Sequence, residues 1–269
     1  GRTAADPLQV LQSALRPAAV RPGPKPGLLV AGATGALGSE VLRQLAGSGR
    51  FAQAQVLVRE PITAGLSQIG IVPVGGEDIA AWPVCPAAVH TGVVMFEPSR
   101  LYHDRERALW TPEPAQLPAL AQWFRRCGAQ TLVVVQPHDQ GRLPQALHHG
   151  LASLDEQAVA GLGFERVLLI RSAQKPRLAA ETSVFDRLAS AMLSILNYMI
   201  PASSLPVPPA RLAAFVDAAL RVLPPGTHVA SPALLGEAAR APDIHAVLRT
   251  WLNTEPAPRT TRAGANSSD

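Results

Sequence analysis

Hydrophobic positions along this chain follow two alternating rhythms. Largely apolar segments at residues 28–31, 54–59, 69–74, 91–96, 131–136 and 164–171 have the length of strands, and the runs at 28–31 and 91–96 are those of strands buried on both faces. Between them the spacing turns helical. Val41, Leu42 and Leu45 mark a helix over about 38–48, and Leu117, Leu120, Ala121 and Phe124 mark another that Gly128 ends. A third runs over about 144–161. Strands alternating with helices predict an α/β fold with a doubly wound parallel sheet.

Beyond residue 172 the rhythm changes. Residues 183–200 form an apolar helix through Val184, Leu188, Met192, Ile195, Leu196 and Met199, with Asp186, Arg187 and Asn197 arguing against a membrane span. This helix either packs on the core or presents a face to a protein partner or a second copy. A proline-rich connector at 201–209 and helices at about 209–223 and 243–252 complete a small helical C-terminal cap that begins near 175. The main domain spans 28–253. The Arg- and Pro-bearing residues 1–27 predict a flexible tail, and their basic, acid-poor composition is also that of a transit peptide. Residues 254–269, rich in Pro, Thr, Ser and Asn, predict a disordered tail.

The most informative stretch joins the first strand to the first helix. Gly32, Gly35 and Gly38 are spaced as a dinucleotide-binding fingerprint in its required strand–turn–helix setting. Gly32 suits the sharp turn, Gly35 lets the backbone approach a diphosphate, and Gly38 lets the helix pack close to the strand. The free N–H groups at the helix start, on Thr34, Gly35, Ala36 and Leu37, would then face phosphate oxygens.

The run Gly32-Ala-Thr-Gly-Ala-Leu-Gly38 after Leu28-Leu-Val-Ala31 resembles the opening of an atypical short-chain dehydrogenase/reductase, a group of NAD(P)-binding Rossmann proteins. The resemblance is strong over 28–60, looser over 91–172 and faint to about 235. It implies a nicotinamide dinucleotide but no particular reaction. Arg59 stands at the end of the second strand, where an acidic residue would suit NAD and an arginine suits a 2′-phosphate; NADP(H) is therefore expected over NAD(H). Phe96, Gln136 and Ser172 end later strands on the ligand side of such a sheet. Phe96 and Glu97 depart from the small residues the family often carries there.

Enzymes of this group usually carry a tyrosine followed four residues later by a lysine, the lysine lowering the tyrosine pKa for proton exchange. That pair is missing. Tyr102 is followed at the fourth place by Glu106 and Tyr198 by Ala202, and the two lysines, Lys25 and Lys175, lie elsewhere. By the resemblance, the tyrosine position falls near His148 and the lysine position near Ala152. The serine often found after the fifth strand is replaced by Gln136-Pro137-His138. His138 and His148 are the candidate proton donors that remain. The histidines form no recognisable metal set with Asp139 or Asp155, so no metal is expected.

Charge narrows the partners. The chain is net +4 over 269 residues, yet Arg2, Arg16, Arg21 and Lys25 against Asp6 place most of that excess in residues 1–27. The body has no basic surplus for a nucleic-acid face. Cys85 and Cys127, the only cysteines, are far apart in sequence and in no metal spacing, and predict two core thiols in a reducing, cytoplasmic setting. Three functions stand: a cofactor-binding regulator or assembly protein without turnover, an oxidoreductase on a small carbonyl or quinone with a non-tyrosine donor, and an interaction module with a lapsed nucleotide site. The missing Tyr–Lys pair favours the first, and the intact glycines count against the last.

Overall fold

The computed structural model describes residues 25–60, 69–76, 78–100, 103–138, 154–173 and 207–254. Seven parallel strands form one sheet: β1 (Gly27–Ala31), β2 (Gln53–Val58), β3 (Ile69–Pro73), β4 (Thr91–Met95), β5 (Thr131–His138), β6 (Arg166–Ala173) and β7 (Gly226–Ala230). Their order is β3-β2-β1-β4-β5-β6-β7. The chain runs outward from β1 in one direction and then, from β4, in the other. This reversal makes the crevice beyond the carboxyl ends of β1 and β4 the place where Rossmann sheets receive ligands.

The alternation of side chains on each strand builds two cores. Leu28, Val30, Val56, Val93, Val133 and Leu168 point to one face, covered by α1 (Gly35–Gly47) and α4 (Pro209–Val222), and flanked by α5 (Pro232–Arg240) and α6 (Ile244–Thr254). Leu29, Leu57, Val94, Leu132, Val134 and Leu169 point to the other, covered by α2 (Leu117–Arg126) and α3 (Leu154–Ala160). All twelve are essentially inaccessible to water. Successive positions in the middle of these strands are apolar because both faces are covered.

Helix α4 packs along α1, where the Arg50 guanidinium ties the two by donating to the carbonyls of Asp217 and Leu220 at 3.2 and 2.8 Å. Strand β7 and helix α5 are absent from the reading of the sequence. β7 escapes notice because Gly226-Thr-His carries no apolar alternation, although His228 is buried. α5 had a signal: Ser231 accepts a bond from Leu234 N with Pro232 at the first helical position, a standard helix start. The expected apolar helix at 183–200, residues 201–206 of the connector after it, and residues 1–24 and 255–269 of the tails lie outside the described residues, as does the first half of the helix expected over 144–161. Among the described residues no helix is long and apolar enough to cross a membrane.

One charged pair crosses a core. Arg171 of β6 and Glu156 of α3 are each about 3% exposed and meet at 2.7 Å between Nη2 and Oε2. The ion pair joins the helix to the strand beneath it.

Candidate functional site

The turn between β1 and α1 has the geometry the glycines require. Gly32 and Gly35 sit at φ +74° and +73°, the left-handed region that side chains disfavour. A Cβ on Gly38 would lie 2.6 Å from the Ala33 carbonyl carbon, so the helix approaches the strand as closely as glycine allows. Thr34 is fully buried and occupies the N-cap position with extended backbone. Its hydroxyl does not cap its own helix. It donates to the Glu97 carbonyl and lies 3.0 Å from the Thr111 hydroxyl. Helix α1 also has no acidic residue in its first turn.

The orphan N–H groups of α1 are met from outside the helix. Leu37 N donates to Glu97 Oε2 at 2.6 Å, and Gly35 N donates to Glu106 Oε2 at 3.0 Å. Two carboxylates thus face the positive end of the helix dipole, where anions are stabilised. Their oxygens stand in for the phosphate oxygens that such a turn receives. The Glu97 side chain lies directly over Gly35, 2.2 Å from the site of a Cβ. Glycine here makes room for the chain's own carboxylate.

Both glutamates belong to the stretch that follows β4, and that stretch is pinned across the strand ends. Gly32 N donates to Trp110 O at 3.1 Å, Trp110 N to Leu57 O at 2.9 Å, and Arg59 N to Ala108 O at 2.7 Å. Leu109 forms an antiparallel bridge with Val58 at the end of β2. A single helical turn, Asp104–Arg107, presents Glu106 to the site. Arg100 pairs with that carboxylate through Nε at 2.7 Å and through a second, shorter contact from Nη2, while Arg100 N donates at 2.9 Å.

Burial pushes the Glu106 pKa up, but the Arg100 side chain and the backbone donors Arg100 N and Gly35 N outweigh it, and the carboxyl titrates below its ordinary 4.5. A lowered folded-state pKa contributes stability that is complete above the unfolded value and disappears as pH falls through the folded one. Glu106→Gln should therefore be less stable than wild type in urea at pH 7, and the gap should close as pH drops below the carboxylate range. A constant gap across that interval would mean that the charge is not what counts.

The residues expected at the site divide into three groups. Gly32, Thr34, Gly35, Leu37, Gly38 and the exposed Ala36 form the turn itself. Arg59 and Phe96 both line a cavity of about 480 Å³, together with Ser99, Arg107, Leu109 and Thr111. Gln136 and Ser172, both half-buried, stand further along the same sheet edge, in register positions opposite Arg171 and Pro137. His138 ends β5, but its side chain lies outside the described residues, and His148 lies outside them altogether, as do Tyr102, Tyr198 and Lys175. Among the described residues no group of three or more His, Cys, Asp or Glu side chains is arranged to hold a metal ion.

The sequence reading missed Glu97 and Glu106 as site residues. Glu97 had been marked as an unusual charge at a strand end, and Glu106 sat in a mixed-charge run of the kind that is usually solvated. No local pattern links them to a helix some sixty to seventy positions earlier; the crossing of the segment over β1 does.

No protein-family model matches the chain, and no curated protein matches it. Solved structures do resemble it in fold. A nucleoside-diphosphate-sugar epimerase from Staphylococcus aureus is 14% identical over 76% of this chain and 70% of its own, with a TM-score of 0.45. The reductase domain of an aureusimine biosynthetic cluster is 12% identical over 79% and 70%, TM-score 0.43. The Bordetella bronchiseptica enzyme WbmG, in complex with NAD, is 13% identical over 82% and 81%, TM-score 0.42. The likeness is one of fold alone, and no reaction or ligand is taken from it.

Proposed function

We propose that the chain is a cytoplasmic, NADP(H)-binding Rossmann protein of the regulator or assembly type, in which the dinucleotide competes with the protein's own carboxylates for the helix start. One observation carries this: the turn already holds anionic oxygens on Gly35 N and Leu37 N. A loop that had lost its function would have no reason to keep left-handed glycines and outward N–H groups aimed at oxyanions. The exposed Arg59 beside the 480 Å³ cavity supports a 2′-phosphate, hence NADP(H) over NAD(H). The missing Tyr-x-x-x-Lys pair supports a role without turnover, with a protein partner or second copy engaged through residues 183–200. The oxidoreductase alternative would depend on His138 or His148 as proton donor, and no described contact favours it.

A second reading is favoured by the backbone bonds from Trp110, Leu57 and Arg59, which make the crossing segment part of the sheet edge. On that reading the carboxylates close the site permanently and the fold serves only as an interaction module.

Fluorescence titration with NADPH and NADH separates the two. Saturable NADPH binding is expected, tighter than NADH, with the preference falling about tenfold in Arg59→Ala (an arginine–phosphate contact is worth about 1.5 kcal/mol or more). If a well-folded protein takes up neither cofactor, even after Glu97→Ala, permanent closure is the correct reading.

A further inference from the structure

The fold brings together the two cysteines that the sequence sets apart. Cys127 follows the last turn of α2, and Cys85 lies in the connection from β3 to β4. Cys85 N donates to Cys127 Sγ at 3.2 Å. Both thiols are free. Three-dimensional packing thus brings into contact two residues that lie 42 positions apart in the chain.

Their surroundings hold this arrangement in place. Trp123 of α2 donates its indole N–H to the Pro83 carbonyl at 2.9 Å, and Arg126 Nη2 reaches the Ile79 carbonyl at 3.3 Å. Trp82 meets Trp123 edge to face, with ring centroids 5.3 Å apart. The residues just before Cys85 are thus anchored to the last turn of α2, next to Cys127. Cys85 is half-buried and Cys127 only 6% exposed, so small oxidants have access and bulky ones do not.

From this juxtaposition we infer that Cys85 and Cys127 form a peroxide-sensitive dithiol that closes to an intramolecular disulfide. Cys127 is the attacking sulfur. Hydrogen bonding from the Cys85 thiol draws its pKa down to about 7 against the effect of burial, with Cys85 N–H and the Arg126 charge assisting. The same contact, together with burial, raises Cys85. The Cys127 thiolate attacks one oxygen of hydrogen peroxide, the O–O bond breaks, and the products are a sulfenic acid and hydroxide. The Cys85 sulfur then attacks the sulfenic sulfur. The S–S bond forms, the S–O bond breaks, and the oxygen leaves as water with the Cys85 proton. Two thiols are oxidised by two electrons while one peroxide is reduced to two waters, the hydroxide taking its proton from solvent.

This site is independent of the dinucleotide reading. Both cysteines precede the amino ends of β4 and β5, whereas the glycine turn follows the carboxyl end of β1, and all these strands are parallel. The test uses the full chain exposed to a small excess of hydrogen peroxide. Free thiols are counted, and peptides are mapped by mass spectrometry without reduction. Both thiols should disappear together, with a bridged peptide pair joining Cys85 to Cys127 and a mass lower by two hydrogens. Cys85→Ser should stop at a dimedone-reactive sulfenic acid on Cys127, and Cys127→Ser should react at least tenfold more slowly. Wild-type protein that yields sulfinic acid or covalent dimers, with no bridged peptide, overturns the inference whatever the variants do.

Discussion

Glu97→Ala is expected to bind NADPH about 10- to 150-fold more tightly than the wild type, because the variant no longer has to give up a charge-assisted hydrogen bond worth about 1.5–3 kcal/mol before the nucleotide enters. The choice of Glu97 over Glu106 follows from their partners. Glu97 is half-buried and meets Leu37 N, and its removal leaves that N–H open to water or ligand. Glu106 is 5% exposed and holds Arg100 as well as Gly35 N, so its loss would strand a cation and loosen the crossing segment. Electrostatics add to the effect: a carboxylate about 4 Å from a phosphate oxygen opposes it by about 4 kcal/mol at a surface-like dielectric of about 20. Fluorescence titration of both proteins reads the difference directly. Equal affinities in two well-folded proteins would remove competition between carboxylate and nucleotide from the account.

The second large effect is on stability. Arg171→Met should destabilise the chain by about 3–5 kcal/mol, the usual consequence of removing one member of a buried ion pair. Glu156, on the buried side of α3 and about 3% exposed, would lose its Arg171 contact. Replacing both, as Arg171→Met with Glu156→Leu, should recover most of the loss, since apolar packing can substitute for a buried pair. Urea unfolding of the single and double variants measures both. A single variant within 1 kcal/mol of wild type would show that the pair is solvated in solution.

The layered plan was legible because parallel strands buried on both faces leave short, largely apolar segments, and six of the seven strands are visible as such. The turn was legible for a different reason: its glycines answer to backbone geometry, which is local. Strand β7 was not, since Gly226-Thr-His is held in place by its β6 neighbour rather than by its own alternation. The carboxylates at the helix start were not legible either. Their role comes from a crossing between β4 and α2 that brings residues 97–100 and 103–112 over the ends of β1 and β2, and nothing in the composition of a mixed-charge loop encodes where it lands. Cys85 and Cys127 were hidden by the same rule, their contact being made by the packing of a connection on a helix.

Three of the four tryptophans lie on one side of the sheet, with Trp82 touching Trp110 at 5.0 Å and Trp123 at 5.3 Å, both edge to face. Trp110 rides on the segment that covers the glycine turn, and Trp123 on the helix that carries the thiol pair. Rings this close and this rigidly oriented couple their electronic transitions, so the trio is an optical gauge built into the chain. Lifting the segment would carry Trp110 away from Trp82 and alter the near-ultraviolet circular dichroism, which gives a ligand-independent signal for the uncapping of α1.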